Sequence, residues 1–370
     1  ELGWGGYWAW DPVENASLFP WLTATAFLHS MSIYEKKNTL KIWSYFLIFT
    51  TFILCIFGTF LTRSGILSSV HAFPENPIGK YFLIFMALLV IYLIVLIANR
   101  YSKLSGNEIE TYFSREGSFA ITNWLFLAFT FVVFWGTLLP LLTGTTGEDQ
   151  LTVSKEFFYA FTSPLAFSLI FLMGVCPYLI WGRFNYDKLK RNLKLIFFIT
   201  VLVVLPSSLF WAKNIFGFFG FIIGSFTFVS LIYLLYKDSS AHSSASGKSF
   251  LSSLLSIFKK DRRKYGGLIA HLGVTLMFIG IVGSTLYPQD IQQELLPNEY
   301  IQISDVTLKY IDIETRKGIN FETIGVRMSL YEKNKFKGMI TPSMAFYKNP
   351  ETQTAEVAIK WGIFRDIYVA

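Results

Sequence analysis

The stretch Glu1–Ser30, ELGWGGYWAWDPVENASLFPWLTATAFLHS, changes character at Asp11. Before it stand Trp4, Trp8 and Trp10 among Gly3, Gly5 and Gly6; after it runs an apolar segment. That segment has about the 20 residues needed to cross ~30 Å of hydrocarbon at ~1.5 Å per residue. The junction carries its own start signal. Asp11 suits a cap, Pro12 suits the first helical position, and Glu14 completes an Asp-x-x-Glu capping box. Indole rings on flexible backbone are either an anchor at the membrane interface or a platform for a flat apolar ligand.

Working outward, the composition selects the solvent. Of 370 residues, 53% are hydrophobic and only 15% charged, against about 25% charged in soluble domains. The expected fold is therefore an all-α polytopic membrane protein. Apolar stretches recur near 14–34, 42–62, 81–99, 120–143, 162–182, 195–212, 215–236 and 267–287, which makes about eight crossings. Cys55 and Cys176 lie inside apolar runs, so neither a disulfide framework nor a CxxC redox pair is present. The chain begins inside a motif, without an initiator Met, and is read as a fragment lacking both termini.

Lys and Arg divide unevenly between alternate connections. Those after crossings one, three, five and seven hold 18, and the others hold four: Arg63, Lys80, Lys155 and Lys213. The positive-inside bias then places residues 1–13, the Trp-rich loop, outside, with the basic loops meeting anionic lipid on the inner side. No nucleic-acid motif appears. Residues 14–236 hold crossings one to seven, 237–265 read as a cytoplasmic Ser-rich and basic linker entering an interfacial helix, and 266–287 form crossing eight. From 288 to 370 the pattern turns to period two, as in Ile324, Val326, Met328 and Leu330, with a turn expected at KNPET. This small β-rich domain is expected outside, with the Trp loop.

Four histidines occur, at 29, 71, 242 and 271. His29 lies near the inner end of crossing one and His271 near the inner start of crossing eight, so the two share a depth. Two imidazoles on different helices at one depth suit the two axial positions of a six-coordinate haem iron. Separate hydrogen bonds within the bundle suit them too, because depth does not fix lateral distance. His71 lies on the outer side beyond crossing two, where Arg63 is either a partner for a haem propionate or an interfacial anchor. His242, in the Ser-rich run, is assigned no role. Gly220 and Gly224 form a GxxxG expected to pack helices.

The opening stretch resembles the WWD signature of haem-handling membrane proteins, specifically the CcmF/NrfE branch of cytochrome c maturation haem lyases. GTFLTRSGILSSVHAF and IAHLGVTLMFIGIVGS are similar to two further blocks of that family, in the same order. The resemblance implies that His29 and His271 are the axial ligands of a resident b-type haem. It implies that His71 is one of two outer ligands to a substrate haem delivered by the chaperone CcmE. The family's other outer His precedes the WWD motif, either in a missing N-terminal part or on a separate N-terminal companion chain, as in some mitochondrial versions. Trp4, Trp8, Trp10, Gly5, Gly6 and Asp11 would form the haem platform, with Asp11 and Glu14 chiefly fixing the helix start.

The implied activity is that of a holocytochrome c synthase. It attaches haem vinyl groups to the thiols of a CxxCH segment of apocytochrome c, within a complex that includes CcmH/CcmI-type thiol-handling chaperones. The implied location is the bacterial inner membrane, or alternatively the mitochondrial one. Two other readings stand beside it. A haem exporter or channel would need polar groups along the bundle axis, of which crossings four to seven show few. A bis-His electron-transfer subunit would need neither His71 nor the outer domain.

Overall fold

The structure is a computed structural model that describes residues 7–66, 77–104, 106–144, 153–204, 215–286, 291–348, 351–362 and 365–370. Two compact units emerge: Trp10–Tyr287 forms one, and Pro288–Ala370 together with Glu1–Ala9 the other.

The first unit is helical. Its elements are α1 (Pro12–Lys37), α2 (Lys41–Ser64), α3 (Gly79–Arg100), α4 (Arg115–Gly144), α5 (Lys155–Val175), α6 (Tyr186–Ile199), α7 (Ile215–Ser246), α8 (Phe250–Lys260) and α9 (Arg262–Leu286). Among the described residues, six of these are long and apolar enough to cross a membrane: α2, α3, α4, α5, α7 and α9. The chain is a multipass membrane protein. The expected eight crossings thus fall to six on that criterion. α1 has the length, since 26 residues span about 39 Å, but it carries polar residues through its middle. α6 leads through a π-helical turn, Thr200–Val204, to the limit of the described residues.

The capping box at the start of α1 forms as the sequence specifies. The Val13 amide donates to Asp11 Oδ2 at 2.9 Å, and the Asp11 amide donates to Glu14 Oε2 at 3.3 Å. α1 then packs between α2 and α4. Its polar residues face those neighbours: Asn15, Thr23 and Ser30 are completely buried. Thr51 donates to Thr23 at 2.9 Å. The Asn123 amide accepts from Ser30 Oγ at 2.6 Å and from the Trp43 indole at 3.1 Å, and donates to the Ala26 carbonyl at 2.9 Å. In hydrocarbon, polar groups find partners on neighbouring helices or remain costly.

The Ser-rich run corrects the linker expectation. α7 continues as helix through Ser246, where Gly247 closes it at φ +66. Serine hydroxyls satisfy backbone carbonyls along the way, Ser246 to His242 at 2.7 Å and Ser243 to Lys248 at 2.6 Å. α8 follows at once, with Ser249 accepting from the Ser252 amide at 3.4 Å. Ile257 of α8 joins Leu231, Tyr265 and Leu268 in one apolar cluster. Gly220 and Gly224 do pack helices, as their spacing suggests. A Cβ on Gly224 would meet Ile279 Cγ1 of α9 at 2.7 Å, and one on Gly220 would meet Val282 at 2.9 Å.

The second unit is an antiparallel β-structure with β1 (Tyr300–Ile303), β2 (Val306–Lys317), β3 (Phe321–Glu332), β4 (Lys335–Ile340), β5 (Ser343–Lys348), β6 (Glu351–Glu356), β7 (Ala358–Lys360) and β8 (Ile367–Val369). Strand order in the main sheet is β1-β2-β3-β5-β6. β3 is long enough to pair with β4 along its C-terminal half and β5 along its N-terminal half. The β3–β4 turn, Lys333–Asn334, has both residues at positive φ, the primed geometry of a two-residue hairpin. Leu308, Met328, Leu330 and Ile340 form the core, with Ile367 and Val369 of the β7–β8 pair against it. The expected alternation buries Met328 and Leu330 but leaves Ile324 exposed. Ile324 lies past a bulge in β2 between Tyr310 and Asp312, and on that side of it Thr323 of β3 is buried. Beside that bulge, Arg327 holds the Asp312 carboxyl below the usual carboxylate range. The expected KNPET turn falls at residues 349–350, outside the described residues; the strands flanking it pair Lys348 with Glu351.

Candidate functional site

The connections rich in Lys and Arg meet at one end of the helical unit. Thr39, after α1, bridges to Asn107, after α3. Glu116, at the start of α4, accepts from the Gly182 amide after α5 at 2.9 Å and pairs with Lys37 at 3.6 Å. Arg263 of α9 pairs with Glu35 of α1. Glu35 and Arg263, 228 positions apart in sequence, thereby come together, and so do the two histidines, 242 positions apart.

His29 and His271 face each other with ring centres 6.2 Å apart and planes within 3° of parallel. Metal–imidazole bonds of about 2.0–2.1 Å, taking zinc as a guide, set two ligating nitrogens about 4 Å apart. Each ring centre lies a little over a bond length behind its nitrogen, so the observed separation suits one metal ion between two axial imidazoles. His29 is also oriented. Its Nδ1 lies 2.7 Å from the Thr25 carbonyl, which can only accept, so Nδ1 carries the proton and Nε2 keeps a free lone pair. Phe119 and Phe126 flank the His29 ring, with ring centres 5.6 and 6.0 Å away. On these observations the residues fit a bis-imidazole haem iron.

α1 and α9 are not packed neighbours. α9 lies against α7 and α8, and α1 against α2 and α4. The histidines come together because Gly220 and Gly224 draw α9 onto α7, while α5 ties α7 to α4. The α5–α7 contact includes Thr227 donating to the Ile170 carbonyl at 2.8 Å and Ser230 donating to that of Gly174 at 2.5 Å.

Beyond Phe119 lies a group that sequence reasoning missed. The Trp181 ring lies 6.2 Å from Phe119, with Lys36 Nζ 5.0 Å and the Arg115 guanidinium carbon 5.3 Å from the Trp181 centre. Helical spacing offered a signal: Lys36 is seven residues after His29, and Arg115 four before Phe119, so each shares a helix face with its partner.

At the other end of α1, Trp10 differs from the expected open indole. Its ring stacks on Phe158 at 4.7 Å and 4°, with Tyr159 edge-on at 5.9 Å. Its backbone adopts φ +60, and its carbonyl accepts from Asn15 Nδ2 at 3.0 Å. Trp8 and Asp11 are half-buried, and Arg63 is exposed in the last turn of α2. Trp4, Gly3, Gly5, Gly6 and His71 lie outside the described residues.

A helical membrane bundle in which two histidines from distant helices face each other, followed in the chain by a small β-structure, defines a class of polytopic membrane proteins. Comparison narrows it. Residues 1–67 match the family described as cytochrome C assembly protein, and residues 286–370 match the CcmF C-terminal beta-sandwich. The cytochrome c-type biogenesis protein CcmF of Escherichia coli is 32% identical over 374 residues, across 100% of this chain and 55% of that protein. CycK of Rhizobium meliloti, also a cytochrome c-type biogenesis protein, is 31% identical across 100% of this chain and 54% of its own. A solved structure titled cytochrome c heme lyase CcmF matches with TM-score 0.73 and 25% identity over 98% of this chain and 54% of that one. The chain belongs to the CcmF family of cytochrome c-type biogenesis proteins, and it spans about half the length of the curated relatives it matches.

Proposed function

We propose that this chain is the haem-handling part of a cytochrome c maturation haem lyase, with a resident haem b between His29 and His271. The facing imidazoles, parallel and 6.2 Å apart, carry this reading. When bound there, the haem supplies one-electron chemistry. The chain's own residues do the rest: His29 and His271 ligate through their imidazoles, the Thr25 carbonyl fixes the His29 tautomer, and Phe119 and Phe126 wall the His29 ring. The basic end then faces the cytoplasm, and the Trp-rich segment and β-structure the periplasm, of a bacterial inner membrane.

At the outer face, His71 ligates a substrate haem received from the chaperone CcmE, above a platform to which residues 3–11 contribute. The reaction adds each thiol of a CxxCH segment across a haem vinyl. The sulfur bonds one vinyl carbon and the hydrogen passes to the other, and neither cysteine of this chain takes part. Catalysis is then mainly proximity and orientation. Handling chaperones of the CcmH/CcmI type would present the apocytochrome. Arg63 contributes a cation on that side. The packing of Trp10 on Phe158 assigns its ring to holding the start of α1 as much as to contacting haem.

Exporter or channel function gains little support from the bundle. Thr130 and Thr137 of α4 are buried, but they donate to carbonyls one turn back in their own helix, Phe126 at 2.8 Å and Val133 at 2.7 Å. The deciding experiment is His71→Ala in the intact protein. The resident haem spectrum is retained, while haem-stained cytochrome c after denaturing electrophoresis falls sharply. Full cytochrome c production in that variant would remove His71 from the site.

A further inference from the structure

We infer that Lys36 and Arg115, gathered on Trp181, receive the propionate carboxylates of the haem held by His29 and His271. The inference rests on the resident-haem reading above. It starts from charge. Lys36 and Arg115 converge on one indole, and among the described residues no carboxylate lies within ion-pair distance of either. The neighbouring Lys37 is already matched to Glu116 at 3.6 Å. Arg115 is further undersatisfied: its Nε is buried without a hydrogen-bond partner among the described residues, and its side chain lies beside the Cys176 thiol. A buried guanidinium donor without an acceptor is costly, and a carboxylate is the acceptor that best matches its fork.

Position agrees with charge. Phe119 links the two groups, touching His29 on one side and Trp181 on the other. Arg115 lies one helical turn inward of Phe119, and Lys36 two turns inward of His29 on the same helix face, rises of about 6 Å and about 10 Å. A haem ligated by these histidines has one edge bearing two carboxylates. Turned toward the basic end, that edge comes within reach of both cations. The opposite edge then faces the bilayer interior, where it needs no polar partner. Cations near the propionates disfavour the extra positive charge of ferric iron, so they raise the reduction potential.

The test is a redox titration of the haem visible band in the intact, membrane-extracted protein. Lys36→Met with Arg115→Met lowers the midpoint potential by at least a tenfold change in the reduction equilibrium, about 59 mV for one electron. Lys36→Arg with Arg115→Lys keeps the potential close to the wild type. Lys36 is exposed at the end of α1, so Lys36→Met alone folds and lowers the potential about threefold in the same equilibrium; it decides the matter if the double variant fails to accumulate. An unchanged potential in Lys36→Met with haem fully retained overturns the inference and leaves these cations to lipid headgroups. Failure of the resident-haem reading looks different: the wild type then lacks the low-spin spectrum, or keeps it in both His29→Ala and His271→Ala.

Discussion

α1 and α3 are both long enough to cross a bilayer, and they are opposites. α3 is the most apolar helix of the bundle, yet only Gly79, Met86 and Leu93 of its residues are buried. α1 does not qualify as a span on apolarity, yet it buries Asn15, Ala16, Phe19, Leu22, Thr23, Ala26, Ser30 and Ile33 and carries His29. Inside a membrane the lipid is as apolar as leucine, so apolarity marks the outside of the bundle and polarity its centre. The helix that a hydropathy count discards is the one around which the site is built.

Substitutions grade this contrast. The largest effect is expected at the site itself: His29→Ala, and separately His271→Ala, abolishes the low-spin six-coordinate haem spectrum of the purified protein, measured by absorbance and haem content. If His29→Ala retains it in full, the central helix holds no axial ligand. Next comes Gly224→Val, which forces a side chain into Ile279 where α9 rests on α7. Overpacking of this kind costs about 1–3 kcal/mol; thermal unfolding in detergent should register the loss, along with a weaker haem band as His271 shifts.

Asn123→Ala removes the side chain that joins Ser30, Trp43 and Ala26. Polar contacts between membrane helices average about 0.6 kcal/mol and reach about 1.7, so a loss in that range is expected by the same unfolding assay. A result indistinguishable from zero would make the polar seam of α1 incidental. Smallest is Leu88→Ala on α3, where the side chain is 59% exposed. A change within about 0.5 kcal/mol is expected; a loss as large as that for Asn123 would mean that another surface covers α3.

The start of α1 was legible because Asp11, Pro12 and Glu14 act within one turn, and local hydrogen bonding needs no tertiary context. The depth match of His29 with His271 was legible for a similar reason, since rise per residue is fixed. Their lateral approach was not. It depends on Gly220 and Gly224 against α9 and on α5 bridging α7 to α4, contacts between segments far apart in the chain. Lys36 and Arg115 escaped notice because each reads alone as an ordinary basic loop residue; only the fold brings Trp181 between them. The Ser-rich run misled because composition suggests flexibility, whereas its hydroxyls close onto backbone carbonyls at the end of the helix. The packing of the Trp10 ring was not legible, because its partner, Phe158, stands 148 positions away.

The arrangement of α1 and α9 has a mechanical consequence. Neither is among the other's main packing partners, and the facing imidazole pair and the Glu35–Arg263 ion pair at the basic end link them directly. On the proposed reading, the cofactor works as a rivet between the α1 and α9 sides of the bundle. Anything that binds only the assembled form stabilises it by mass action, so cells starved of haem should hold less of this protein at an unchanged rate of synthesis. The assembly line for cytochromes would then be dismantled when its raw material runs short.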